Sequence, residues 1–170
     1  MLNKSLSLFL ATCAMTLMLS ACGEKETEQA AVVEETVEVV AVPPAGSPAA
    51  DWKKYLAAVV MQNMQGVKSN RPYMYFVPGG TDGKAEVDRS NQLDNVSLAV
   101  SRGVLPGNML AFGGPDSATT ANLIIDAFQD AGDGTFKDVT VLFVGTQADS
   151  DRVQEALART GATYKFAEMK

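Results

Sequence analysis

The chain has 170 residues, 46% of them hydrophobic and 20% charged, and a formal net charge of −6. It contains no histidine, which excludes Ser-His-Asp and Cys-His catalysis, His-ligated zinc and a histidine general base. Its two cysteines, Cys13 and Cys22, both lie near the start, so the rest of the chain has neither thiol nor disulfide and must hold together through its core.

The first segment has the three parts of a secretory signal. Lys4 supplies the basic end, Leu6 to Leu19 the apolar stretch, and Ser20-Ala21 the small residues before Cys22. The apolar stretch is short for a hydrocarbon core of about 30 Å, so a cleaved signal is the better reading than a retained span. The run Leu19-Ser20-Ala21-Cys22 resembles the lipobox of bacterial lipoproteins. That resemblance implies cleavage before Cys22, a diacylglycerol on its sulfur and an acylated amino group. The membrane would then be a partner through a lipid anchor on Cys22. Gly23 is not the aspartate that retains such proteins in the inner membrane, so the resemblance implies an outer-membrane anchor facing the periplasm.

Residues 22–50 read as the lipidated cysteine and a tether. Glu24, Glu26, Glu28, Glu34, Glu35 and Glu38 outnumber Lys25, and Pro43-Pro44-Ala45-Gly46-Ser47-Pro48 follows. Like charge and the lack of aromatics disfavour packing, and such a coil reaches roughly 30 Å on average. Val37, Val39 and Val40 leave open a short edge strand or a partner-binding segment within it.

Regular patterning begins after Ala50. Asp51 is positioned to cap a helix over residues 52–65, with Trp52, Leu56, Val59, Val60 and Met64 at helical spacing. Tyr73–Val77 predicts a strand. A helix from Lys84 or Ala85 to Arg102 should turn Val87, Leu93, Val96 and Val100 to one side and stop at Gly103. Asn108–Phe112 predicts a strand, and Asp116 or Ser117 caps a third helix through Ala131, with Ala121, Ile124, Ile125 and Phe128 inward. Val139–Val144 is apolar at nearly every position, as a strand covered on both faces is. Asp149 or Ser150 caps a fourth helix ending near Thr160, and Thr163–Phe166 alternates as an edge strand does.

Strands alternating with helices predict a single α/β domain over residues 51–170: three layers, a roughly four-stranded, mainly parallel sheet, and helices on both faces. A small doubly wound layer structure is the favoured form, with the order of the strands left open.

Three strands end in similar loops. They contribute Gly79, Gly80, Thr81 and Asp82; Gly113, Gly114, Asp116 and Ser117; and Gly145 and Thr146. All three should lie at the carboxyl edge, where open α/β sheets bind ligands and helix N-termini favour anions. These residues form the candidate site for a small anion, with Thr119 and Ser150 assisting. The same residue types also serve turning and capping, and that reading is the simpler one. Asp82, Asp116, Asp149 and Asp151 could gather a cation, but capping explains them too. Gly83-Lys84 is not a P-loop, because Pro78 and Ala85 stand where glycine and a hydroxyl are required.

No residue set points to catalysis, a cofactor or a metal, and no basic patch points to nucleic acid. The leading expectation is a non-catalytic interaction domain with an envelope-protein partner, in an assembly or immunity role. A small-ligand binder is the second reading, and an enzyme without His or Cys the third. Trp52, Tyr73, Tyr75 and Tyr164 are candidate interface anchors, and Met61 and Met64 a candidate adaptable contact.

Overall fold

The computed structural model describes residues 41–170, so the lipobox, Cys22 and most of the tether lie outside the described residues. Four parallel strands form one sheet in the order β1-β2-β3-β4: β1 Tyr73–Phe76, β2 Met109–Gly113, β3 Thr140–Gly145 and β4 Thr163–Glu168. Four α-helices accompany them: α1 Ala49–Gln62, α2 Gly83–Arg102, α3 Ser117–Phe128 and α4 Gln147–Leu157. The protein is the expected three-layer α/β domain. Among the described residues no helix is long and apolar enough to cross a membrane.

The winding differs from expectation. Each crossover from β1 to β4 advances the chain by one strand in the same direction. Right-handed crossovers that all advance one way place every helix on the same face. Accordingly Val96 and Val100 of α2, Ile124 and Phe128 of α3, and Val153 and Leu157 of α4 share one core with Leu110, Phe112, Val141 and Phe143. Helix α1 precedes β1 and covers the opposite face, where Trp52, Leu56 and Val60 meet Met109, Ala111, Leu142 and Val144. The sheet is singly wound, and its order never reverses. The crevice that a doubly wound sheet opens at its switch point therefore has no counterpart among these strands.

Strands β2 and β3 are buried at every position, in keeping with their nearly continuous apolar runs. Val87 is a correction: it is 59% exposed, while Val96 and Val100 carry the buried stripe of α2. Replacing Val87 with serine should therefore change the unfolding free energy by less than about 0.5 kcal/mol in urea denaturation. On α3 the inward residue is Leu123 rather than Ile125.

Helix boundaries follow their caps. Asp82 accepts from the Ala85 N–H at 2.9 Å and Asp116 from the Thr119 N–H at 2.6 Å, so α2 and α3 start where capping chemistry places them. Gly103 ends α2 at φ 77°, a backbone that a side chain disfavours. Helix α1 begins at Ala49, three residues earlier than expected, because Pro48 already holds the φ that helix entry needs. Asp51 thus sits in the first turn rather than at the cap. Helix α4 likewise begins at Gln147 behind Thr146, not at Asp149 or Ser150. Beyond the end of α1, Lys165 of β4 donates to the carbonyls of Asn63 and Gln65, tying that loop to the sheet. Val42, within the sequence read as tether, packs against the α1 core.

Candidate functional site

Every strand-to-helix loop lies at the carboxyl edge of the sheet, as expected of parallel strands. The glycines there have a use the sequence could not reveal. A Cβ on Gly114 would collide with the backbone carbonyl oxygen of Val77. One on Gly113 would meet Leu56 at 2.9 Å and Val144 at 3.2 Å. One on Gly145 would collide with the Phe143 ring and come within 2.7 Å of Ser117 Oγ. One on Gly79 would come within 2.5 Å of the Pro115 ring. These glycines let the loops pack on each other and on the core, and the space beside each is filled by protein atoms.

The polar residues of the second and third loops also serve one another. The Thr146 N–H donates to Ser117 Oγ at 2.8 Å, and Ser117 Oγ donates to Asp149 Oδ2 at 2.6 Å. Thr146 Oγ1 donates to the same carboxylate oxygen at 3.1 Å. Arg152 grips Asp149 Oδ1 through Nε and Nη2, at 3.0 and 2.8 Å. It also reaches Asn122 Oδ1 and the Ala118 carbonyl of α3. Burial alone would push the Asp149 carboxyl up. The hydrogen bonds from Ser117, Arg152 and Thr146, with the charge of Arg152, outweigh that and hold it below the usual carboxylate range. Loops β2–α3 and β3–α4 are thus bolted together by a network that engages the side chains of Ser117, Thr146, Asp149 and Arg152.

In the first loop Thr81 is exposed and Asp82 serves as a cap. The Ala85 N–H, foremost, holds the Asp82 carboxyl below its ordinary range. The Gly80 carbonyl accepts from Arg89 at 2.7 Å. Thr119 gives its N–H to Asp116, and Ser150 is buried against the Tyr164 hydroxyl at 3.0 Å. Among the described residues no three His, Cys, Asp or Glu side chains come together as metal ligands would.

Open space lies instead beside α1. One cavity of about 460 Å³ sits at the N-terminus of α1, between Ser47, Ala49 and Trp52 on one side and Phe76, Gly79, Gly80, Pro115 and Asp116 on the other. Of the sequence-predicted residues, Gly79, Gly80 and Asp116 line it. A second cavity of about 460 Å³ runs along the outer edge of β1, walled by Lys53 of α1 and by Asp88, Asn91 and Gln92 of α2. Met74, Phe76 and Pro78 form its floor. Ala49, Phe76 and Pro78 line both cavities, so the two are neighbours along β1.

The β1 backbone is oriented for use. The Val77 N–H donates to Gly113 O at 2.9 Å, so Val77 faces β2. Backbone groups alternate sides along a strand, so the N–H and C=O of Met74 and Phe76 point away from the sheet. Beyond the strand, the Pro78 carbonyl accepts from Arg89 of α2 at 3.4 Å. Among the described residues β1 has no strand neighbour besides β2. Tyr73 is 51% and Met74 49% exposed. The other candidate anchors are structural: Trp52 is buried, Tyr75 stacks on Phe112, and Tyr164 binds Ser150.

Sequence reasoning missed Arg152, Asn122, Lys53, Phe76 and Met74. The hydrophobic run Tyr73–Val77 signalled a strand, but not that its edge stays open. No family model, curated protein or solved structure matches this chain.

Proposed function

We propose that this chain is a lipid-anchored envelope protein, held to the outer membrane through Cys22, whose α/β domain is a non-catalytic binding module. Its partner is an extended segment of another envelope protein, taken up as an added strand beside β1. The observation that supports this reading is the open edge of β1 at the floor of a groove, with the backbone groups of Met74 and Phe76 directed into it. Strand addition draws affinity from main-chain hydrogen bonds and specificity from pockets for alternate side chains. Pro72 and Pro78 bracket β1, whose length is only 4 residues. A short, proline-bounded edge resists indiscriminate pairing while leaving room for a selected partner.

The small-anion reading has less support at the second and third loops, where Gly113, Gly114 and Gly145 pack against protein atoms and the hydroxyls of Ser117 and Thr146 are engaged.

Proline at position 74 provides the test. The Met74 N–H points away from β2, so its loss leaves the β1–β2 ladder intact, and edge strands accept proline there. Selection of displayed peptides on the full chain, followed by titration, should yield binders. Met74→Pro should weaken them by about tenfold, the equivalent of roughly one hydrogen bond, while leaving the melting temperature nearly unchanged. Unaltered binding by a folded Met74→Pro protein would overturn the strand-addition reading.

A further inference from the structure

The sequence read as tether holds a strand-like run. Thr36-Val37-Glu38-Val39-Val40-Ala41-Val42 is rich in β-branched residues, and residues 36–40 of it lie outside the described ones. Val42, at its end, packs against the core under α1, as do Ala167 of β4 and Met169 just beyond it. The sheet has a second open edge there, since among the described residues β4 has no strand neighbour besides β3. The N–H groups of Thr163 and Met169 donate to the carbonyls of Val139 and Gly145, each at 2.8 Å. Odd-numbered residues of β4 therefore face β3, and the N–H and C=O of Tyr164, Phe166 and Glu168 point outward.

Chain direction and handedness choose between the two edges. Helix α1 starts at the carboxyl edge, where Ala49 lies beside Phe76 and Pro78. A strand that feeds it through a short connection ends at that edge and so runs parallel to the other four. Parallel strands joined through a helix cross over right-handedly in nearly all cases. The crossovers that advance from β1 to β4 carry their helices on one face, and α1 lies on the other. A right-handed crossover through α1 must therefore travel the opposite way and reach β1 from the β4 side. Beside β1 the same strand would need a left-handed crossover. Residues 41–48 can extend to about 26 Å, enough for the four strand spacings of about 4.8 Å between the place beyond β4 and β1.

Charge then selects a register. Lys165 is half-buried and its Nζ donates to the carbonyls of Asn63 and Gln65 at 2.8 and 2.6 Å. Among the described residues no carboxylate pairs with it. Lys165, Ala167 and Met169 alternate onto the α1 face. Placing Glu38 beside Lys165 sets Val40 beside Ala167 and Val42 beside Met169, so one register satisfies both the charge and the apolar contact of Val42. We propose that residues 36–40 occupy the outer edge of β4 as a fifth, parallel strand in this register. The Phe166 N–H then donates to the Glu38 carbonyl, and the Val40 N–H to the Phe166 carbonyl. The tether closes one edge of the sheet and leaves β1 as the edge for a partner.

Amide hydrogen exchange on the full chain, resolved by residue with NMR, provides the test. The Phe166 and Glu168 amides should exchange about a hundredfold slower than the open-edge amide of Met74. Val40→Pro removes the N–H that bonds Phe166 and should speed both amides about tenfold or more. Val39→Pro, at a position whose N–H points away from β4, should leave them slow. Glu38→Lys sets two ammonium groups side by side and should act like Val40→Pro. Slow exchange within β2 and β3 shows that each variant is folded. Free exchange of Phe166 and Glu168 in the parent chain would overturn the inference. So would slow exchange that Val40→Pro leaves unchanged, or that both proline changes abolish equally. Protection that disappears on dilution would assign the edge to a second copy of the chain and overturn it as well. None of these outcomes bears on β1, whose occupancy Met74→Pro reads separately.

Discussion

Gly114→Ala should be among the most destabilising single-methyl additions this domain can receive, lowering the unfolding free energy by about 3 kcal/mol or more. The added Cβ would collide with the Val77 carbonyl oxygen, with the Val77 carbonyl carbon at 3.0 Å and its Cα at 3.4 Å. All three are backbone atoms, so no rotamer change relieves the overlap. The carbonyl lies where β1 runs out, next to the Val77 N–H that pairs with Gly113. Relief therefore means separating β1 from β2 at its carboxyl end. Overpacking a dense interior costs about 1–3 kcal/mol even where side chains can adjust, and more where only backbone can move. For a domain of this size that lowers the melting point by roughly 10 °C or more. Gly79→Ala should cost less, because its obstacle is the ring of Pro115, and Gly83→Ala almost nothing, because nothing lies within 4 Å. Calorimetry on the three variants orders them. A ligand cradle would predict the reverse: binding lost and stability kept.

The same glycines show where sequence reading stops. Glycine beside Asp, Ser or Thr after an apolar run is what a tight strand-to-helix turn needs, what close loop packing needs and what an anion cradle needs. The sequence signal is identical, and only the neighbours in space separate the three. Capping is different, because its geometry is local. Asp116 is one of two cap candidates for α3, and the Asp82 cap of α2 follows the same local rule, since the N–H each serves lies three residues on. Strand existence was equally legible, because β2 and β3 carry nearly continuous apolar runs. Their order was not, since every permutation of parallel strands has the same sequence pattern. The single direction of winding became visible only through which core each helix joined. The open groove depends on that order, which leaves β1 at an edge. Val87 misled because a helical period can include one apolar residue on the solvent side at little cost. Arg152 carries no motif at all. Its importance lies in bonds to Ala118 and Asn122, 34 and 30 residues away, that no local pattern encodes.

That network supplies the second large effect. Asp149→Ala should destabilise the domain by about 2 kcal/mol at neutral pH, the scale of hydrogen bonds to a charged acceptor. The Asp149 side chain is only 15% exposed, so water is a poor substitute for the partners it loses. Without the carboxylate, Ser117, Thr146 and Arg152 all lose an acceptor, and the joint between the β2–α3 and β3–α4 loops opens. The pH dependence follows from the lowered pKa. The folded state holds the Asp149 carboxyl below the ordinary value near 3.9, so the unfolded chain binds the proton more readily. Its stabilisation is therefore complete above about pH 4 to 5 and is lost as the pH falls through the folded-state pKa. The difference in unfolding free energy between the parent protein and Asp149→Ala should stay constant from pH 8 to 5 and shrink as the solution is acidified below 4. Urea denaturation at stepped pH measures it. A difference that persists undiminished at pH 2 would mean that the charge contributes little and that shape alone holds the loops. Arg152→Ala should reproduce most of the neutral-pH loss, and the double variant should cost less than the two singles added, because both remove the same contact. Full additivity would instead show that Arg152 stabilises α3 through Asn122 and Ala118, independently of the carboxylate it also grips.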